Sequence, residues 1–191
     1  ARFILCSSDM VFDGSAGWYS EAEDPCPLNV YGKTKAEAEK AAAEETEDLA
    51  AARISLVYGR PVTGSNSFSE KILRNVNNGE RMTLFTDQLR TPVAVSDLSK
   101  ALLELCELNF RGIINIGGPW PADRYSFGSR LLDITGGDKG QLRPGSMDEM
   151  EFAAARPRDV TLDTGLARSV LSTELLSWDE GLAKEYSAAA V

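Results

Sequence analysis

The chain has 191 residues, of which 43% are hydrophobic and 26% are charged. These proportions are typical of one globular domain, or of one domain with a small second lobe, that buries a hydrophobic core. The formal net charge of −9 argues against binding to nucleic acid or to an anionic membrane surface. No apolar run approaches the length of a membrane span and no segment resembles a signal peptide, so we expect a cytosolic protein.

Histidine is absent, and the three cysteines, Cys6, Cys26 and Cys106, are widely spaced. Without histidine the chain lacks the residues for Ser-His-Asp or Cys-His catalysis and for a His-ligated metal, so no metal site is expected. Cys6 lies in an apolar stretch that predicts a strand, and Cys106 lies in an apolar helical stretch. Both are therefore predicted to be small core residues.

Apolar runs alternate with helix-forming stretches along the chain. The pattern predicts strands at 2–7, 52–59, 81–85 and 112–118, and the first of them is expected to be buried on both faces. It predicts helices at 29–49, 65–79, 126–135 and 172–186, and another that begins at the capping residue Ser96.

Strands that alternate with helices in this way indicate an α/β fold built on parallel strands. We place a boundary near Gly59, where a strand ends. One unit then covers 1–59. The second, 60–191, is expected to form mainly a lobe beside a binding cleft and to send segments back to the sheet.

Tyr31 and Lys35 lie four residues apart at the start of the first predicted helix. This spacing puts both side chains on one side of the helix, where the lysine ammonium favours the ionised form of the phenol. Such a phenol can exchange a proton with a carbonyl or an alcohol near neutral pH. The same spacing also fits a half-buried aromatic residue beside a solvated lysine, so the pair alone leaves both interpretations open.

The first predicted strand ends in Ser7 and Ser8, which Asp9 follows. Ligands of open α/β sheets bind at the carboxyl ends of the strands, so the Ser8 hydroxyl and the Tyr31 phenol are candidates to meet at one carbonyl oxygen. The alternative is that both serines only satisfy backbone groups where the strand turns.

Five segments occur in one order along the chain: SSDMVFDG, PLNVYGKTKAEAE, ARISLVYG, RTPVAVSDLSKAL and ARPRDVTLD. In this order they resemble the extended short-chain dehydrogenase/reductase superfamily, and most closely the dTDP-4-dehydrorhamnose reductase family, over nearly the whole chain. The resemblance implies the C-terminal part of a Rossmann-like, doubly wound parallel sheet with a small α/β substrate-binding lobe. It also implies NADP- or NAD-dependent reduction of a nucleotide-linked 4-keto sugar.

The resemblance implies a role for each matching residue. Tyr31 corresponds to the proton donor, and Lys35 corresponds to the lysine that acidifies this tyrosine and holds the nicotinamide ribose. Both residues are therefore expected to be catalytic and to bind the cofactor. Ser8 replaces a threonine of the family and keeps its hydroxyl, so it is expected to act in catalysis and to touch the substrate. Asp9 corresponds to an acid that contacts the substrate.

Two expected substrate-contacting positions depart from the family pattern. Met10 stands where the family often has Tyr, and Leu56 stands where the rhamnose enzymes have a Trp that packs against the sugar. The loss of two large aromatic side chains removes stacking surface and a phenolic hydrogen bond. The resemblance therefore carries over the catalytic residues but not the rhamnose-type substrate.

Basic residues near predicted loops and helix starts are candidates to clamp a nucleotide diphosphate. The segments RTPV, with Arg90, and ARPRD, with Arg156 and Arg158, come first because they fall inside the family-like segments, and Arg90 is expected to bind the substrate. The full set is Arg60, Lys71, Arg74, Arg90, Arg156 and Arg158.

The Gly-rich βαβ unit that holds the dinucleotide in this family has no counterpart among these 191 residues. We therefore expect that the chain is a C-terminal fragment, or that another polypeptide supplies the missing half. In either case the first strand, 2–7, is expected to pair with a strand from outside these residues.

Two other functions fit the same scaffold. The beta subunit of methionine adenosyltransferase is similar to these reductases and shares YGKTK-like and RPR-like segments, so a non-catalytic regulatory subunit is an alternative. An epimerase or dehydratase of the superfamily is another. Sugar dehydratases need an Asp-Glu pair after the strand, and this chain has Asp9 and Met10 there, which argues against dehydration.

Overall fold

The computed structural model describes residues 2–61 and 67–187, and every structural statement below concerns these two ranges. The strands are β1 (Phe3–Ser8), β2 (Leu49–Ile54), β3 (Val57–Tyr58), β4 (Met82–Phe85), β5 (Leu89–Arg90), β6 (Val93–Ala94), β7 (Gly112–Ile116), β8 (Ala122–Asp123) and β9 (Leu142–Gly145). The helices are α1 (Val30–Glu45), α2 (Phe68–Asn77), α3 (Val95–Glu107), α4 (Arg124–Thr135), α5 (Gly165–Val170) and α6 (Trp178–Tyr186). None of the helices in these ranges is both long and apolar enough to cross a membrane.

The main sheet has three parallel strands in the order β1-β2-β7. β2 is the central strand and is buried along almost its whole length, which suits its run of small alanines. On one face Leu49 and Ala51 pack against Ala42 of α1, and on the other face Ala52 and Ile114 pack in the cluster that contains α3 and α5. Helices therefore cover both faces of a parallel sheet, which confirms the predicted α/β fold class.

A second cluster of buried residues forms away from this sheet. It joins α2, α4 and α6 through Ile72, Phe127, Leu131 and Leu182, and Leu84 of β4 packs into it. β4 pairs with β9 in parallel and β5 pairs with β8 in antiparallel orientation, so short strands cross between distant parts of the chain. The predicted boundary near Gly59 stays a prediction.

α1 begins close to its predicted start at 29 but ends at Glu45, so the predicted end at 49 is wrong. The side chain of Asn29 caps the helix by accepting a hydrogen bond of 3.0 Å from the backbone N–H of Gly32. The helix ends at Glu45 because Leu49 already belongs to β2. Gly32 lies so close to the turn after β1 that a Cβ atom there would come within 2.1 Å of the carbonyl oxygen of Met10. The missing side chain therefore lets α1 approach the end of β1.

The predicted helix at 65–79 corresponds to α2, and residues 65 and 66 lie outside the described ranges. Three other predicted elements differ in the structure. The predicted strand 52–59 is divided into β2 and β3, which pair with β7 and β6 respectively. α3 begins at Val95 with Ala94 as its cap residue, so Ser96 lies inside the first turn and does not cap the helix. The predicted last helix at 172–186 begins only at Trp178, where Ser177 forms a capping box with Glu180.

The prediction that Cys6 and Cys106 are core residues is wrong, because both are exposed. β1 lies at the edge of the described sheet, and two of its residues, Phe3 and Cys6, are exposed. The expected burial of this strand on both faces is therefore also wrong for this part of it. Cys106 follows Leu105, which faces the core, and the next position on a helix points about 100° away from it. An apolar run therefore overestimated burial at both cysteines.

We expect Gly32→Ala to destabilise the protein. Alanine normally favours a helix over glycine by about 0.5–1 kcal/mol, but the new Cβ at this position would collide with the Met10 carbonyl and the Pro27 side chain. Overpacking of this kind costs about 1–3 kcal/mol. Urea unfolding of the variant measures the net change.

Lys33→Ala is the matched control, because Lys33 is the next residue of α1 and is exposed. It should leave the free energy of unfolding almost unchanged. A Gly32→Ala protein that is as stable as the unchanged protein, or more stable, would show that α1 is not held this close to β1.

Candidate active-site cleft

The predicted catalytic residues lie at the end of β1 and at the start of α1. Ser8 is the last residue of β1, and its hydroxyl accepts a hydrogen bond of 3.2 Å from the backbone N–H of Met10 in the turn that follows. Lys35 donates a hydrogen bond of 2.8 Å from Nζ to the backbone carbonyl of Cys6, two residues before Ser8. The same Nζ lies 5.9 Å from the centre of the Tyr31 ring. The lysine ammonium is therefore hydrogen-bonded to β1 and lies near the Tyr31 ring.

The three predicted catalytic side chains are near each other along these elements but are not hydrogen-bonded to one another within the described ranges. Ser8 is buried and donates to Asp9 Oδ1 at 3.2 Å. Tyr31 is 53% exposed. Its phenol therefore faces open space at the mouth of the site.

Asp9 and Arg90 form a buried ion pair behind the turn. Arg90 Nη1 lies 2.7 Å from Asp9 Oδ1, and Ser55 donates a hydrogen bond of 3.1 Å to Asp9 Oδ2. The Ser55 hydroxyl in turn accepts a bond from the backbone N–H of Thr91. Both carboxylate oxygens of Asp9 are thus occupied by protein groups, so in this structure Asp9 holds Arg90 in place.

The guanidinium of Arg90 has more N–H donors than there are good hydrogen-bond acceptors around it. Its Nη2 lies 3.0 Å from the thioether sulfur of Met10, which is a weak acceptor. Its Nε is buried and has no hydrogen-bond partner within the described ranges. A buried donor without a partner is costly, and an oxygen atom of a ligand would remove that cost.

Two cavities lie next to this group and share part of their walls. The first, of about 470 Å³, is lined by Tyr31, Met10 and Arg90, and the second, of about 350 Å³, is lined by Leu56, Phe68 and Phe85, among others. Both are also lined by Gln88, Arg124 and Arg156. We call the two cavities together the cleft.

The cleft is positively charged although the chain as a whole is acidic. Arg124 Nε donates to Gln88 Oε1 at 2.8 Å, and the guanidinium lies 4.4 Å from the centre of the Phe68 ring. Burial lowers the pKa of the Arg124 guanidinium from its ordinary value, and the like charges of Arg90 and Arg156 lower it further. A group whose charge is disfavoured in this way gains from an anion placed beside it. The cleft can therefore bind an anionic ligand beside the exposed phenol of Tyr31.

The predicted residues are divided between the cleft and its surroundings. Tyr31, Met10 and Arg90 line the first cavity and Leu56 lines the second, whereas Ser8 and Asp9 lie buried behind Met10. Of the other candidates for a diphosphate clamp, Lys71 and Arg156 line the cleft. Arg60 lines a separate cavity with Tyr186, Arg74 lies on α2 and lines neither part of the cleft, and Arg158 forms ion pairs with Asp87 and Asp148.

Sequence reasoning missed Arg124 and Gln88, which line both cavities. Arg124 is the first residue of α4, and the side chain of Asp123 caps this helix. A basic residue that directly follows a helix cap, a few residues after the apolar strand β7, was the available signal. Gln88 carried no signal, because its position depends on the pairing of β5 with β8.

A family model described as "RmlD substrate binding domain" matches residues 1–190. The chain is 29% identical over 184 residues to the probable low-salt glycan biosynthesis reductase Agl14 of Haloferax volcanii, with 95% of this chain and 61% of that protein covered. It is 32% identical over 169 residues to the methionine adenosyltransferase 2 subunit beta of Xenopus laevis, with 85% of this chain and 50% of that protein covered.

A crystal structure of dTDP-4-dehydrorhamnose reductase from Bacillus anthracis in complex with NADP is similar to this chain. The TM-score is 0.89 and the sequence identity is 25%, with 97% of this chain and 65% of that chain covered. The chain thus spans between half and two thirds of the length of these similar proteins.

We expect Arg124→Met to weaken anion binding without destabilising the ligand-free protein. The substitution removes a charge that is partly buried beside two like charges, so its loss should not lower the unfolding temperature. Pyrophosphate affinity should fall about tenfold, which corresponds to about 1.4 kcal/mol. Calorimetric titration with pyrophosphate and thermal unfolding measure the two effects.

Arg143→Met is the control, because Arg143 is an exposed arginine on β9 and does not line the cleft. It should change neither quantity. Equal pyrophosphate affinities for the Arg124→Met protein and the unchanged protein would show that the cleft is not an anion site.

Proposed function

Because the chain belongs to the RmlD substrate-binding domain family, we propose that it forms the C-terminal part of an NAD(P)H-dependent reductase of nucleotide-linked 4-keto sugars. The observation that carries this proposal is the first cavity, in which an open phenol, Tyr31, shares one wall with the guanidinium groups of Arg90, Arg124 and Arg156. A keto sugar attached to a diphosphate needs a proton donor at one end and positive charge at the other. The exposed phenol and the three guanidinium groups that line this cavity support the proposal.

In the proposed reaction Tyr31 donates its phenolic proton to the keto oxygen of the sugar. A bound reduced nicotinamide would supply the hydride that reduces the carbonyl carbon. The ammonium of Lys35, 5.9 Å from the ring centre, stabilises the phenolate that remains. Lys35 in turn is held by the Cys6 carbonyl, so its charge stays at a fixed distance from Tyr31.

The environment of Tyr31 and Lys35 suits a nicotinamide ribose. Lys35 is partly exposed, and the Cys6 carbonyl is its one hydrogen-bond acceptor within the described ranges, so its other N–H groups can reach a ribose hydroxyl. Tyr31 is more than half exposed. NADP and NAD both carry such a ribose, so this surface fits either cofactor.

Ser8 is proposed to orient the keto oxygen from the strand side. Its hydroxyl already accepts from the Met10 N–H and donates to Asp9, so its position is fixed before a substrate arrives. A small rotation of the hydroxyl would transfer its donated bond from Asp9 to a substrate oxygen. Asp9 would keep its charge partner Arg90 during that exchange.

The nucleotide part of the substrate is proposed to lie across the boundary between the two cavities. Arg124 and Arg156 line both cavities and suit a diphosphate there. Phe68 and Phe85 line the second cavity and offer aromatic surface for a base. Met10 lines the first cavity and Leu56 lines the second, at positions where the family has two large aromatic residues. We therefore propose a sugar other than the rhamnose type.

The cofactor is proposed to be held mainly by a segment outside these residues. β1 lies at the edge of the described sheet, and Phe3 on it is 43% exposed. An edge strand of this kind can pair with a further parallel strand. The partner strand would belong either to an upstream part of the same polypeptide or to a second polypeptide.

A non-catalytic regulatory subunit is the second candidate. The similarity to the beta subunit of methionine adenosyltransferase, at 32% identity over 85% of this chain, favours it. A stoichiometric enzyme partner recovered with the protein from its native cells would support this alternative. Reductase turnover of dTDP-4-keto sugars would count against it.

We expect Tyr31→Phe, made in the full-length natural protein, to lower kcat by about 10²–10⁴-fold, which is the usual contribution of a general acid. The Michaelis constant for the nucleotide sugar should change little, because the phenylalanine ring fills the same space. Steady-state assays that follow NADPH consumption with a dTDP-4-keto sugar measure both constants.

Tyr125→Phe on α4 removes a phenolic hydroxyl outside the cleft and should leave both constants unchanged. Near-normal turnover by the Tyr31→Phe protein would end the assignment of Tyr31 as the proton donor.

We further expect the 191-residue chain, purified alone, to show no measurable affinity for NADPH or NADH. Tyr31 and Lys35 contact only the nicotinamide ribose region in the proposed complex, which is a small part of a dinucleotide. Fluorescence titration of reduced cofactor with the purified chain measures this. A dissociation constant in the micromolar range would refute the proposal that another segment holds the cofactor.

A further inference from the structure

A buried ion pair joins α1 to the central strand β2. Arg53 on β2 is 1% exposed and Glu39 on α1 is 7% exposed. Arg53 Nη2 lies 2.9 Å from Glu39 Oε2, and its Nε lies 3.1 Å and 3.2 Å from the two carboxylate oxygens. The guanidinium thus binds the carboxylate through two nitrogen atoms, a geometry that fixes direction as well as distance.

The pair is also tied to β1 and to the loop before α1. The hydroxyl of Ser7, next to Ser8, donates a hydrogen bond to the Glu39 carboxylate. Arg53 donates to the backbone carbonyl of Glu23 at 3.3 Å and stacks 5.0 Å from the centre of the Phe12 ring. Most donors of the buried guanidinium are therefore used by the protein.

Glu39 lies on the same side of α1 as the predicted catalytic residues. Tyr31, Lys35 and Glu39 follow one another at intervals of four residues, so they project from successive turns of the helix. Lys35 contacts the carbonyl of Cys6, and Glu39 contacts the hydroxyl of Ser7. Cys6 and Ser7 are consecutive residues of β1. Arg53 is the residue of β2 paired with Ser7 across the sheet.

The rest of the α1 surface does little to hold the helix in register. Among its 16 residues, the buried ones are Gly32, Glu39 and Ala42. Glycine and alanine allow close approach, but their small side chains interlock weakly and resist sliding along the sheet only weakly. The position of α1 along its own axis therefore depends on the polar contacts at Lys35 and Glu39, together with the close approach of Gly32 to the Met10 carbonyl.

We propose that Glu39 and Arg53 are positioning residues that set the distance from the Tyr31 phenol to the end of β1 by fixing α1 along its axis. This inference rests on the proposed function of Tyr31 as a proton donor. The pair touches neither cavity of the cleft and acts through the helix. A displacement of about 1 Å at a reacting group can lower turnover by about 100-fold, so a small slide of α1 has a large effect.

The energetics of buried ion pairs allow a positioning role to be distinguished from a contribution to the stability of the fold. Replacement of both partners by apolar residues of similar size is often neutral or stabilising, because the cost of burying two charges disappears. The apolar pair, however, lacks the directional bonds that define one position of the helix. Loss of turnover without loss of stability is thus the expected sign of positioning.

The test is the double substitution Glu39→Leu with Arg53→Met in the full-length natural protein. The unfolding temperature should stay the same or rise, kcat should fall about 10- to 100-fold, and the Michaelis constant for the nucleotide sugar should stay within about twofold. Lys40→Met with Glu44→Leu is the matched control, because Lys40 and Glu44 form an exposed ion pair on the same helix. The control should change none of these quantities.

A second variant covers the case in which the double variant does not fold. Glu39→Asp keeps the charge but shortens the side chain by one methylene, so it should draw α1 toward β2 and lower kcat about tenfold at an unchanged Michaelis constant. Turnover equal to that of the unchanged protein, in whichever of the two variants folds, would overturn the inference.

A crystal structure of the folded variant distinguishes this inference from the proposed function. We expect the distance from Lys35 Nζ to the Cys6 carbonyl, 2.8 Å in the unchanged chain, to change as the helix shifts. Absence of reductase activity in the unchanged protein would contradict the proposed function, and the crystallographic distance would then decide the positioning role by itself. An unchanged distance would overturn it.

Discussion

The contacts between helix α1 and strand β1 determine the geometry of the candidate site. Gly32 brings the helix close to the turn at Met10, and Lys35 is bonded to the carbonyl of Cys6 on the strand. Farther along the helix, Glu39 is bonded to Ser7 and Arg53. Steric closeness at one end and directional polar bonds along the rest place the open phenol of Tyr31 beside the strand end. The strands of a parallel sheet end at one common edge. Because small side chains let α1 pack close to the sheet, the phenol of Tyr31 can lie near that edge.

The charges in the cleft form a second constraint. Arg90, Arg124 and Arg156 lie together in a chain with a net charge of −9. Within the described ranges only Arg90 of these three has a carboxylate partner, Asp9, which lines neither cavity. Keeping like charges close together is unfavourable in the absence of a counter-ion. The folded chain accepts this cost at the place where an anion is proposed to bind. Sites that bind and transform ligands commonly hold such unfavourable arrangements, and other contacts in the fold compensate for them.

Several features of this protein could be predicted from the sequence because they depend on neighbours along the chain. The helical conformation and the start of α1 follow from its Ala-rich composition and from the cap at Asn29, and the spacing of Tyr31 and Lys35 fixes their common side of the helix. The order of apolar runs and helices predicted the α/β fold. Apolar runs predicted burial less well, as the exposed Cys6 and Cys106 show, because an apolar segment does not say which of its residues face the core.

Only the tertiary structure decided which distant residues share the cleft and which charges pair. Arg124 lies 93 positions after Tyr31 in the printed sequence, and the two meet in one cavity because α4 packs against β4 and α6 beside the cleft. Arg53 appeared in the sequence as one charge within an apolar strand, and its partner became visible only when α1 was packed on β2. The sequence by itself determined local conformation and the kinds of reacting groups. Long-range packing determined their arrangement, since a cavity wall or a buried ion pair is made by segments whose separation along the chain carries no information about their distance in space.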